Sequence, residues 1–242
     1  GAICRLRGGT MRKITKEELN TAIESHALWL NSNKLAGKRV DLTYVDLTGV
    51  NLTGVDLTCA KLVGADLTGA NLTGVDLTGV DLTWAILSGA DLFGANLTGA
   101  DFTWANLTDA DLTSANLTDA ILRCAILTGA DLFGAKLTGA NLRCADLTYA
   151  NLNGANLTYA NLYRAILTGA DLYRANLTGA ILYCANLRRA NLTGAILRRA
   201  DLYRANLTGA NLTDADLTDA ILTDAILTGA KLTGAIHDEA GQ

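Results

Sequence analysis

A five-residue phrase, repeated without a break, constrains this chain more than anything else in it. From Val40 to Gly234 the phrase recurs 39 times with no insertion or deletion. Its centre is Leu in 38 copies and Phe102 in the other. Two residues before the centre stands Ala in 33 copies and Val in six. Asp, Asn, Ile or Lys lies between them; Thr follows the centre in 26 copies and Gly comes next in 19. Period five suits neither regular element. On an α-helix, successive Leu would be displaced by about 140° and scatter round every side. Thr and Gly at two positions in five also make a poor helix. On a plain strand, an odd period flips Leu to the opposite face at each step. Locally, though, Ala-x-Leu alternates, so both side chains point the same way from a short extended piece. Thr-Gly then turns the corner, since Gly tolerates positive φ at no steric cost. Stacked coils of such a chain pair their backbones and bury a continuous Leu column. The fold class is an all-β solenoid, with Leu67, Leu72, Leu77, Leu82 and Phe102 in its core. Asp or Asn faces water.

The repeat also sets the organisation. Residues 1–10 read as an expression leftover or disordered leader, 11–39 as an N-terminal capping helix and loop, 40–235 as the repeat region, and 236–242 as a tail. A solenoid exposes its core at each end, so caps matter. Thr15 and Glu18 have the spacing of a capping box, and Ile14 and Leu19 that of a hydrophobic staple. Leu19, Ala22, Ile23, Ala27 and Leu30 form an apolar stripe, which predicts a helix over 16–30 packed on the first coil, with Trp29 as a packing residue. The tail, AIHDEAGQ, offers no comparable helix. The last coil is therefore expected to fray or to pair with a second copy as a homodimer.

The tandem A(D/N)LTG phrase, as in GADLTGANLTGVDLTGVDLT at 64–83, resembles the pentapeptide repeat family over about four fifths of the chain. The resemblance implies a right-handed quadrilateral β-helix with four pentapeptides, or 20 residues, per coil. The repeats then make about ten coils, a rod roughly 47 Å long at the usual strand spacing. It also implies a bacterial source. Some members of the family mimic a DNA duplex and inhibit DNA gyrase.

With 20 residues per coil, positions 20 apart form ladders, and one ladder departs from Thr-Gly more than the rest. Its first residue after the centre runs through Arg123, Arg143, Tyr163, Tyr183 and Tyr203. Its second runs through Trp84, Trp104, Cys124, Cys144, Arg164, Cys184 and Arg204. This side reads as a binding face, because Trp, Tyr and Arg are the usual interface anchors. It reads equally as a self-stabilising ladder, or as a turn type that admits bulk on one side only. Cys124 and Cys144 are expected as free thiols, since stacked positions rarely offer disulfide geometry.

Charge is banded along the chain: residues 41–120 carry net −10, 121–205 net +6 and 206–235 net −3. The bands read as a mixed solvated surface or as steering for a partner. The acidic stretch would be the gyrase mimic. A basic middle, unbroken repeats and the lack of a C-terminal dimerisation helix depart from that subgroup. Nucleic-acid binding by the basic aromatic band 121–205 is a further alternative, which the flanking acidic bands oppose. The two His, His26 and His237, lie in no catalytic arrangement, and no phosphate loop or zinc spacing occurs. Asp91, Asp111 and Asp131 stack; they read as hydrated outward residues, or as a cation ladder. No enzyme, cofactor or metal is expected. No apolar run reaches the ~20 residues of a spanning helix, so no membrane partner is expected either. Five Cys without a CxxC pair suit a reducing, cytoplasmic setting. The expected function is a structural rod that binds another protein.

Overall fold

The computed structural model describes residues 11–237. Three named elements stand at the N-terminal end: β1 (Arg12–Lys13), α1 (Lys16–Asn31) and β2 (Val45–Asp46). From Asp41 onward the chain forms single-residue parallel bridges, each joining a residue to the one 20 later, from Asp41↔Lys61 to Asp216↔Ile236. Twenty residues, or four repeat units, therefore make one turn.

Backbone accounting explains the phrase. In the unit Ala105–Asp109, Ala105 N–H donates to Phe102 O (2.9 Å) and closes the corner. Asn106 N–H reaches back to Ala85 O (2.9 Å), while Leu107 N–H reaches forward to Ile126 O (2.7 Å) and Asp109 N–H to Thr128 O (3.0 Å). The remaining donor, Thr108 N–H, is satisfied by the Asn106 side chain: Oδ1 accepts it at 3.0 Å and the Thr108 hydroxyl at 2.6 Å. All five amides are paired, as buried backbone requires. Asp or Asn at this position is thus more than a hydrated outward residue; it closes an Asx turn, as it does from Asp41 to Asp216. Asp91, Asp111 and Asp131 do the same, accepting from the amides of Phe93, Thr113 and Phe133 at 2.9–3.0 Å.

The interior is the expected Leu column with Ala or Val beside it. Leu67, Leu72, Leu77, Leu82 and Phe102 are all fully buried. The second residue after the centre has positive φ in every copy, Gly or not, between 53° and 71°. Together with the bond from the next Ala or Val N–H to the Leu carbonyl, this is the pattern of a type II turn. All four corners share it, so no special turn type reserves one side for bulk.

The helix α1 forms at the N-terminal end of the described residues, and its inward face differs from the expected one at one position. Thr15 and Glu18 make the full capping box: Thr15 Oγ1 accepts from Glu18 N–H (3.1 Å), and Glu18 Oε2 accepts from Thr15 N–H (2.9 Å). Leu19 is buried, and Ile14, Ala22 and Ile23 pack against the core. The fourth inward position is His26, fully buried, rather than Ala27 or Leu30. It falls seven residues after Leu19, where strict helical periodicity places it. Its Nδ1 accepts from Val40 N–H (3.2 Å), and its Nε2 is buried without a hydrogen-bond partner. Trp29 stacks on the His26 ring at 5.5 Å, a packing role as expected. No residue pattern marks β1, which pairs in parallel with β2 (Arg12↔Val45, Lys13↔Asp46) and extends the first coil's edge.

At the other end the core is open among the described residues. Leu217 is the last buried residue of the Leu column; Leu222 and Leu227 are partly exposed and Leu232 is exposed. The expected leader, 1–10, and the tail beyond His237 lie outside the described residues.

Candidate interaction face

The corner geometry decides what an outward residue can do. A left-handed residue after Thr projects its side chain from the rod's edge, and the in-register stacking aligns it with its neighbours 20 residues away. Along the edge beginning at Tyr44, seven successive positions from Trp84 to Arg204 are non-glycine with φ between 54° and 63°. At about 4.8 Å per coil they span roughly 29 Å.

Trp84 and Trp104, 39% and 46% exposed, stack with ring centres 5.4 Å apart and planes 8° from parallel. Tyr163 and Tyr183 lie 5.2 Å apart, and Tyr183 and Tyr203 5.3 Å apart. Arginines sandwich this column. The Arg143 and Arg164 guanidinium carbons stand 4.9 Å and 5.1 Å from the Tyr163 ring centre, and that of Arg204 stands 4.9 Å from Tyr203. Each such contact contributes about 0.5–1 kcal/mol at an exposed site. Arg204 also pairs with Asp224 at 3.4 Å. Arg123 is exposed on the coil between the Trp pair and this column. The predicted face is therefore one continuous strip, a flat indole pair followed by a tyrosine column flanked by cations.

Cys124, Cys144 and Cys184 are interleaved in the strip as free thiols. Partial burial, with the Cys144 thiol beside it, pushes the Cys124 thiol up from its usual range and keeps it protonated at neutral pH. Among the described residues no three His, Cys, Asp or Glu side chains are placed to hold a metal ion. A shallow open groove runs between α1 and the first coil, lined by Ile14, Leu19, Asp46, Leu47 and Val50. No helix of the described residues is long and apolar enough to cross a membrane.

Sequence reasoning passed over other outward aromatics. Phe93, Phe133 and Tyr173 occupy the opposite side, with the Arg174 guanidinium 4.9 Å from the Tyr173 ring. Tyr149 and Tyr159 are exposed on the remaining two. The same 20-residue sorting finds them, but one coil on stand Thr113, Asn153 and Thr193 for Phe93, Phe133 and Tyr173, and glycine for Tyr149 and Tyr159, so none builds a run.

A family model described as pentapeptide repeats matches in eight copies, at residues 38–74, 76–113, 100–139, 110–148, 135–173, 145–183, 170–209 and 200–236. Among solved structures the chain is similar to HetL, a pentapeptide repeat protein involved in heterocyst differentiation regulation in the cyanobacterium Nostoc sp. strain PCC 7120. The two are 37% identical over 94% of this chain and 99% of HetL, with a TM-score of 0.84. Rfr23, from the cyanobacterium Cyanothece 51142, is 34% identical over 47% of this chain and 91% of its own, at a TM-score of 0.46. QnrB1, a plasmid-mediated fluoroquinolone resistance protein, is 23% identical over 84% of this chain and 92% of its own, at 0.48. No curated protein sequence matches.

Proposed function

The chain belongs to the pentapeptide repeat family, and from that premise we propose that it is a non-enzymatic interaction rod. In this reading it is a right-handed quadrilateral β-helix of just under ten coils, capped by α1. It engages a protein partner through the strip of Trp84, Trp104, Arg123, Arg143, Tyr163, Arg164, Tyr183, Tyr203 and Arg204. One observation carries the proposal. Every outward corner position in the strip holds a left-handed backbone, which costs a non-glycine residue about 1–2 kcal/mol. On the other edges glycine relieves that strain at least every second coil through this region, whereas here seven coils in succession forgo it. Strain retained in a run that builds exposed indole, phenol and guanidinium surface fits a surface kept for contact.

The likeness to HetL, itself involved in regulation, supports a regulatory role exercised through protein contacts. The unpaired thiols suit a reducing, cytoplasmic setting. The test is capture of a partner from the native lysate by the full chain and by a Trp84→Ala/Tyr183→Ala variant. The variant is expected to lose the partner while its circular dichroism stays unchanged. A partner retained in full by the variant sinks the assignment to this strip. The duplex-mimic and nucleic-acid readings predict, respectively, inhibition of gyrase supercoiling and a salt-sensitive gel shift; neither is expected.

A further inference from the structure

The edge that carries Asp109, Tyr149 and Arg189 has a symmetry of its own. All three occupy left-handed corner positions of one ladder, 40 residues or two coils apart, and all three are exposed. Each leans one coil towards the C-terminus. The Asp109 carboxylate lies over Gly129, the Tyr149 ring over Gly169, and the Arg189 stem over Gly209. Acid, ring and base therefore follow one another at equal steps of about 9.6 Å.

A series of this kind is complementary to itself when reversed. A second copy, turned by 180° about an axis through the Tyr149 ring and perpendicular to the rod, places its Arg189 opposite Asp109 and its Asp109 opposite Arg189. The two Tyr149 rings meet at the axis, each 70% exposed, in a position to stack. Ile166, 39% exposed, lies at the same level and supplies apolar surface there. One coil to either side, Asp146 comes to the level of Arg188 of the second copy. Arg188 and Arg189 have no ion-pair partner among the described residues, whereas Arg198, Arg199 and Arg204 pair with Asp216, Asp219 and Asp224 at 3.9, 3.6 and 3.4 Å. Half a turn away, Asp119, Tyr159 and Arg199 repeat the acid–ring–base order, but there the base is already engaged by Asp219.

We propose that this edge is an isologous contact for an antiparallel second copy of the same chain, with Tyr149 on the two-fold axis and an Asp109–Arg189 pair at each end. It lies on a different edge from the Trp/Tyr/Arg strip and leaves that strip free for another partner.

Sedimentation velocity of the full chain tests it, at about 0.01 M and about 1 M salt, where screening lengths are ~30 Å and ~3 Å. The expected result is a monomer–dimer equilibrium that weakens as salt rises. Asp109→Arg or Arg189→Asp alone creates two like-charge contacts per dimer and raises the dissociation constant about 10- to 100-fold. Combining the two restores complementarity and returns the constant to within about threefold of the original. Tyr149→Ala weakens the dimer without a charge change, and Asp119→Arg leaves it unaltered. A monomer under all conditions overturns the proposal. So does a dimer indifferent to the single reversals, as contact through the open C-terminal coil would be, or a double exchange that binds no better than its parents.

Discussion

At the scale of the residue, the repeat is a solution to five backbone amides and one difficult torsion. The Ala-x-Leu alternation and the Thr-Gly corner were legible because they are statements about side-chain direction and glycine. The work of Asp and Asn was not, because a polar letter does not reveal which amide needs it. Asn106→Ala removes the acceptor of Thr108 N–H and its hydroxyl. It is expected to lower unfolding stability by about 1–2 kcal/mol in a denaturant titration, within the range for leaving such a group unpaired. The corner yields a sharper comparison. Gly74 and Gly179 have nearly equal φ, 61° and 65°, so Ala costs each the same backbone strain of about 1–2 kcal/mol. A Cβ at Gly74 meets nothing within 4 Å, whereas at Gly179 it meets the Tyr159 ring at 2.6 Å. Gly179→Ala should therefore destabilise by about 1–2 kcal/mol more than Gly74→Ala, as overpacking does. The excess should vanish when Tyr159→Ala is added; an excess that persists in the double variant would mean that the ring is not its source.

At the scale of the element, α1 shows both the reach and the limit of pattern reading. Its start is fixed by the Thr15–Glu18 box, whose spacing is legible in the sequence. Apolar letters alone extend its inward face to Ala27 and Leu30, whereas helical periodicity places His26 there. Burial holds the His26 imidazole below its ordinary range; Asp56 and the Thr58 backbone raise it, Arg39 lowers it, and burial outweighs them. The unfolded chain then binds a proton, below about pH 6.5, that the folded cap does not. The cap's stability is full above that pH and declines as pH falls towards the depressed folded value. Asp46 and Asp216 act in a separate window. The Thr48 and Thr218 hydroxyls hold their carboxylates below the usual range, so their contribution is present above about pH 4 and is lost only in stronger acid. Hydrogen exchange of the α1 amides should accelerate between pH 7 and 5 beyond the intrinsic pH trend. His26→Leu should abolish that acceleration while weakening the cap at every pH, because Val40 N–H loses its acceptor. A variant that keeps the pH dependence would assign it to another group.

At the scale of the whole molecule, everything outward depends on a register of 20. The ladders were legible once that number was in hand, since it converts sequence separation into stacking without any coordinates. The direction in which isolated corner side chains such as Tyr149 and Tyr159 lean was not legible; it is set by the left-handed backbone and by the space over glycine one coil on. The register makes a prediction that composition alone does not. Deleting residues 60–79 removes one coil and leaves every downstream ladder in place. The shortened rod should fold, lose only part of its stability as a nearest-neighbour stack does, and keep the exciton signature of the Trp84–Trp104 pair in circular dichroism. Deleting residues 85–94 removes half as much chain, yet it leaves the two tryptophans ten residues apart, on opposite sides of the rod. The Leu column stays continuous and the coils still pair, so the β signal should persist, while the exciton signature disappears. Partner capture should follow the same division, kept by the 20-residue deletion and lost with the ten-residue one, because the strip is then cut and its two halves face in opposite directions.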